Sequence, residues 1–347
     1  MTINRRTLVA AAGASLVASA MRPAPLDAAV APVRKPARLR AGDTVGLIEP
    51  AGFTADRFDL DLVRETVAAM GLKPKMARHL GERDGYLAGS DADRAADVNA
   101  MFADPQVRAV FAVRGGWGCA RLLPLLDFGV IRANPKLLVG FSDITALHLA
   151  FAARAGFTTI HGPNAGSGWN RFSWDAFRAV AFDGATPVFQ SPEPQENRLV
   201  PRGGRVRTFG KGKASGRLLG GNLTVLSALM GTPWLPDFRG AILFLEDVNE
   251  GEYRIDRMLT QLALAGILKQ LAGIVFGQCS NCVSPGPSYG GFTLSQVLEQ
   301  HLSPLGIPAF QGAPFGHVAD NVSLPVGARA EIDADAGTIK LLEPAVA

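Results

Sequence analysis

Apolar and polar positions change period several times along the chain, and each change predicts an element. Thr44–Ile48 is a short apolar run that stops at Pro50-Ala51-Gly52, a strand and a turn. Asp56–Met70 places Leu60, Val63, Val67 and Met70 on one face of a helix. Ser90-Asp91-Ala92-Asp93 predicts a second helix, with Ser90 as N-cap and acids in its first turn. Ala95, Val98 and Met101 form its apolar stripe. Val107–Val113 is an apolar run interrupted only by Arg108, a strand ending at Arg114-Gly115-Gly116. Ala120–Leu126 reads as a helix kept short by Pro124. Leu137–Val139 is a strand, followed by Gly140-Phe141-Ser142-Asp143 and a helix through Ala152. Thr158–His161 is a further strand before Gly162-Pro163. Strand alternating with helix over this length predicts a parallel, layered α/β domain at residues 41–190.

The pattern fails near 191–204. Pro, Glu, Gln and Asn in Ser191–Asn197 read as linker, and Arg202–Lys213 reads as a basic, glycine-rich solvated loop. A linker is therefore expected at 191–213. A second α/β domain, with a mixed sheet, is expected at 214–347. Within it Asn222 caps a helix through Met230, Ala241–Leu245 is a strand and Ile255–Leu268 a helix. Ile274–Phe276 is a strand, Leu294–Leu302 a helix, and Ala328–Leu342 a hairpin around Asp335-Ala336-Gly337.

The N-terminus follows neither period. Arg5-Arg6 precede a run of apolar and small residues that exits at Ala18-Ser19-Ala20, which predicts a twin-arginine export signal at 1–20 cleaved after Ala20. The alternative is a retained anchor, although the run is too short to span a bilayer as a helix. Residues 21–40 hold four prolines and read as an extended linker. No later segment is long and apolar enough for a membrane span. A periplasmic location is the expectation.

Composition then removes whole classes. Of the 347 residues, 48% are apolar, which excludes a disordered chain, and three cysteines exclude a disulfide-dense scaffold. Net charge is +4, a basic surplus that invites a nucleic-acid reading. Residues 1–20 carry +2 and residues 21–40 carry +4, so residues 41–347 are left at −2 and that reading loses its support. The basic 202–213 stretch has one aromatic, Phe209, and Gly212-Lys213 is followed by Ala214, so neither an RNA-binding repeat nor a phosphate loop is present.

No pair of the five histidines has metal-ligand spacing, and Cys279-Ser280-Asn281-Cys282 lacks two further ligands nearby. No metal and no cofactor are expected. The cysteine pair reads as a loop disulfide or two structural thiols. Two turns could carry nucleophiles. Gly140-Phe141-Ser142-Asp143 resembles a nucleophile elbow without its second glycine, in which the N–H of Asp143 faces an oxyanion; the bland alternative makes Ser142 a helix cap. Arg114-Gly115-Gly116-Trp117-Gly118-Cys119 offers a thiol and backbone donors suited to an oxyanion, and Cys119 reads sooner as a small buried apolar residue than as a nucleophile. His317, in a glycine-rich loop, is the first candidate base and His161 the second, while His148 and His301 read as packing or surface residues. Glu246, at the carboxyl end of a strand, is the candidate orienting carboxylate, with Asp247 and Glu250 as competitors.

In order and spacing these pieces resemble the LD-carboxypeptidase family of serine peptidases. The likeness is carried by Tyr86–Gly89, Arg114–Gly118, Gly140–Asp143, His161–Pro163, Gly220–Leu223, Leu245–Asp247 with Tyr253-Arg254, and Gly316-His317. The resemblance implies two α/β domains with the site at their junction. It implies a Ser–Glu–His triad at Ser142, Glu246 and His317. It also implies oxyanion or substrate contacts at Gly115, Gly116, Trp117 and Asp143, with Asn222 in support. The implied partner is a murein peptide cleaved before a terminal D-alanine. Related amide substrates such as a microcin-like conjugate, or a silent peptide-binding role, are the alternatives. A homodimer is compatible with the sequence.

Overall fold

The computed structural model describes residues 33–192, 199–200, 205–282 and 291–347. The expected signal at 1–20, most of the 21–40 linker, and residues 193–198 and 201–204 of the expected inner linker lie outside the described residues. Residues 33–347 form one compact unit.

The chain runs β1 (Thr44–Ile48), α1 (Arg57–Ala69), β2 (Lys73–Met76), α2 (Asp91–Ala103), β3 (Val107–Ala112), α3 (Cys119–Leu122) and α4 (Phe128–Ala133). It continues through β4 (Leu137–Gly140), α5 (Thr145–Arg154), β5 (Thr159–His161), α6 (Arg171–Ala181), β6 (Val188–Phe189), β7 (Arg207–Gly210) and β8 (Lys213–Asn222). Then come α7 (Leu223–Ala228), β9 (Ile242–Val248), α8 (Glu252–Leu264), β10 (Gly273–Ser280) and α9 (Leu294–Leu302). The end holds β11 (Ala309–Gln311), β12 (Leu324–Val326), β13 (Arg329–Asp333) and β14 (Thr338–Leu341).

Two sheets organise these elements. The first has the order β12-β5-β4-β3-β1-β2 and is parallel except for the antiparallel edge β12. The second has the order β6-β14-β13-β8-β9-β10-β11-β7, with β8 to β11 parallel and the outer strands antiparallel. The architecture is the two-sheet α/β arrangement expected. The central strands β1, β3, β4 and β9 are almost wholly buried, as parallel strands covered on both faces must be.

Two strands cross the expected domain boundaries. β6 precedes residue 190 yet pairs with β14 in the second sheet, and β12 follows residue 214 yet pairs with β5 in the first. The inner-linker expectation also fails in part. Within the stretch read as a solvated loop, β7 pairs with β11, and Lys213 already begins β8. The sheets meet through α5, which packs on both β5 and β8. The approach is close: a Cβ on Gly221 would fall 2.4 Å from Thr145 Oγ1, and the Asn222 N–H donates to that same oxygen at 2.9 Å.

Local signals set several ends. Ser90 caps α2 by accepting from Asp93 N, and Asp56 caps α1 by accepting from Phe58 N. Thr293 and Gln296 form a reciprocal capping box on α9. Among the described residues no helix is long and apolar enough to cross a membrane.

Candidate active site

Ser142 follows β4 in a turn where its own φ is +65°, a left-handed conformation that costs a non-glycine residue about 1–2 kcal/mol. The turn lifts the hydroxyl off the carboxyl end of the first sheet. It is held by Asn164, whose Oδ1 accepts from Phe141 N at 3.1 Å. Ser142 does not cap α5: that helix begins at Thr145 without a side-chain cap. Its Oγ lies 3.0 Å from His317 Nε2 instead.

His317 sits in the loop between β11 and β12. Its Nδ1 lies 2.8 Å from Glu246 Oε2, and its ring packs 4.8 Å from that of Phe141. Its backbone carbonyl accepts from Ser280 Oγ at 2.7 Å. Ser280 lies between Cys279 and Cys282, which are joined in a disulfide. Glu246 belongs to β9 and is fully buried, so it is no surface acid. Its Oε1 has no donor among the described residues, which leaves the carboxylate dependent on the His317 N–H.

Strand alternation separates Glu246 from Asp247, and Glu250 lies beyond the end of β9. Asp247, on the opposite face, accepts from Asn222 Nδ2, Thr224 N, Thr224 Oγ1 and Val248 N. Burial pushes its pKa up to about 6. Glu250 pairs with Arg254 at 3.4 Å. Asn222 therefore caps α7 and steadies Asp247, and among the described residues its side chain makes no hydrogen bond to Ser142, His317 or Glu246.

The second turn lies against the first. A Cβ on Gly115 would fall 3.1 Å from Ser142 Oγ and 3.4 Å from Asp143 N, so only glycine permits this approach. The Asp143 carboxylate accepts from Cys119 N at 2.8 Å and ties the two turns together. Among the described residues neither Asp143 N nor Gly116 N donates a hydrogen bond. Cys119 is fully buried, and burial followed by the Asp143 carboxylate pushes its thiol well above the usual range. Its environment is that of an apolar filler and disfavours the thiolate.

A cavity of about 830 Å³ is lined by Ser142, His317, Gly115, Gly116 and Arg114. Trp117 is not among its walls. It lines a neighbouring cavity of about 600 Å³ with Phe53 and Tyr86. The other histidines stand apart. His161 is buried among aromatic rings, including Phe244 5.3 Å away, and burial pushes its pKa far down. His148 lies under the elbow, bonded to Thr159 Oγ1 and Gly140 O, and burial lowers its pKa to about 4. His301 pairs with Asp256. Among the described residues no cluster could hold a metal ion.

Sequence reasoning missed Asn164, Ser280 and the carboxylate role of Asp143. Ser280 had a signal, because it lies inside the Cys279–Cys282 pair. Asn164 follows His161-Gly162-Pro163 directly.

Comparison with known proteins follows the same layout. The family models for the LD-carboxypeptidase N-terminal and C-terminal domains match residues 45–162 and 215–332. The chain is 39% identical over 300 residues to the "Probable murein peptide carboxypeptidase" of Bacillus subtilis (strain 168), covering 86% of this chain and 91% of that one. Among solved structures, the microcin C7 self-immunity protein MccF in its apo state superposes with a TM-score of 0.80 at 27% identity, over 90% of this chain and all of that one. A muramoyltetrapeptide carboxypeptidase from Oxalobacter formigenes gives a TM-score of 0.74 at 32% identity, over 86% and 97%.

Proposed function

This chain belongs to the LD-carboxypeptidase family, and on that premise we propose that it is an exported serine carboxypeptidase that releases terminal D-alanine from murein peptides. The observation that carries the reading is the relay from Ser142 Oγ through His317 to Glu246, with contacts of 3.0 and 2.8 Å.

The geometry suits acyl transfer. His317 Nε2 takes the Ser142 proton as Oγ attacks the carbonyl carbon of the L-residue. Glu246 holds the Nδ1–H tautomer and stabilises the imidazolium that forms. The unpaired N–H groups of Asp143 and Gly116 receive the oxyanion. The imidazolium then protonates the leaving amine of D-alanine. A water, deprotonated by the same histidine, releases the peptide acid and regenerates Ser142.

Export rests on Arg5-Arg6 and the Ala18-Ser19-Ala20 exit, and the Cys279–Cys282 disulfide suits an oxidising compartment. The likeness to a microcin immunity protein favours a second reading, an amide hydrolase of the same fold acting on a microcin-like conjugate. One preparation tests these readings: chain purified from the periplasm should begin at Met21 and should convert murein tetrapeptide to tripeptide and D-alanine. Processing of the conjugate with tetrapeptide untouched supports the second reading. Peptide affinity without turnover on either substrate leaves a binding protein. A chain retained in the cytoplasm refutes export alone.

A further inference from the structure

A carboxypeptidase must distinguish a chain end from a chain interior, and the end differs by one negative charge. Resting on the peptidase reading above, we propose that Arg114 binds the terminal carboxylate of the substrate and so sets exopeptidase specificity. Among the described residues Arg114 is the only lysine or arginine on the wall of the cavity that holds Ser142 and His317. It is the chain neighbour of Gly115, the residue pressed against Ser142, and it lines the same cavity as the nucleophile. The terminal carboxylate of a leaving D-alanine sits on the Cα next to the scissile amide nitrogen, so its binding group must belong to the same cavity as the nucleophile.

The side chain is oriented but not consumed. Nη1 donates to Phe53 O at 2.9 Å, which tethers one end of the guanidinium. Among the described residues Nε and Nη2 make no hydrogen bond, and Arg114 enters no ion pair. Asp59, the one acid on the same wall among the described residues, does not pair with it. An exposed arginine with a tethered fork and spare donors is matched to a carboxylate, which accepts two parallel N–H bonds. A lysine would offer charge without that geometry.

The test compares murein tetrapeptide ending in D-alanine with the same peptide ending in D-alaninamide, following release of the last residue. The wild-type chain should cleave the acid about a hundredfold more efficiently in kcat/KM than the amide. Arg114→Met should bring the two rates to within about threefold of each other, and Arg114→Lys should give an intermediate ratio. Each ratio is taken on one protein, so loss of folded material cancels. If Arg114→Met is too slow to measure, the lysine variant decides, and a wild-type ratio there overturns the proposal. A wild-type ratio near one, or a full preference in Arg114→Met, also overturns it while leaving the peptidase reading intact. A wild-type chain inert to both peptides refutes the peptidase reading, and the anchor falls with it.

Discussion

The two sheets contribute to the site in different ways. The first supplies Ser142 through a backbone device: a strained turn after β4, braced by a glycine and by Asn164, all encoded within short stretches. The second supplies a charge device. Glu246 and His317 are 71 residues apart and meet only because β9 is buried and the loop after β11 folds over its end. A turn can be built from local dihedral preferences. A buried carboxylate needs a completed tertiary structure to hold it and a partner to offset its desolvation. Breaking each device should therefore give a different loss.

The largest effect is expected on the first side. Ser142→Ala should lower kcat for D-alanine release by about a million-fold, because no other group can form the acyl intermediate. Cys119→Ala, in the adjoining turn, should keep most of the activity. Loss of turnover in the Cys119 variant with survival in the Ser142 variant would move the nucleophile to the thiol.

The second side should lose less. Glu246→Gln keeps the shape but removes the charge that stabilises imidazolium and fixes its tautomer, and kcat should fall about ten-thousand-fold. Substrate affinity, measured on the Ser142→Ala background, should change little. A Glu246→Gln enzyme with near-normal kcat would reduce the carboxylate to a packing group.

The same contrast governs what the sequence disclosed. The β4 turn and its serine were legible because their chemistry is local, and Ser90 and Leu294–Leu302 were legible because caps and helical period are local too. β8 was not. A Cβ on Gly216 would fall 2.4 Å from Gly240 O, and one on Gly220 would fall 1.9 Å from Phe244 O. Strands this close to their neighbours demand glycine, so a central strand of the second sheet carries the composition of a loop. α6 went unread although Asn170 caps it and Phe177, Val180 and Ala181 share its buried face. Glu246 was legible as a strand-end acid, but its choice over Asp247 depended on which face of β9 looks toward His317, and only pairing fixes that.

The smallest effect sets the buried bases of the first sheet against the buried acid of the second. His148 has a folded pKa of about 4, below its unfolded value near 6.5. Its contribution to stability is complete above pH 6.5 and is lost as pH falls toward 4. His161 is shifted in the same direction. Asp247 has a folded pKa of about 6, above its unfolded value near 3.9, so its ionisation penalises the fold above pH 6 and is relieved as pH falls toward 4. Asp143 is shifted the same way by burial. Between pH 7 and 5 the two groups therefore oppose each other. His148→Gln should reduce the acid-induced loss of unfolding free energy by about 2 kcal/mol, and Asp247→Asn should increase it by about 1.4 kcal/mol. Urea titrations of wild type and both variants at the two pH values read these slopes directly, apart from any pH-independent change in stability. Slopes that move in the same direction would mean that one of the two groups is not buried in the protonation state its surroundings impose.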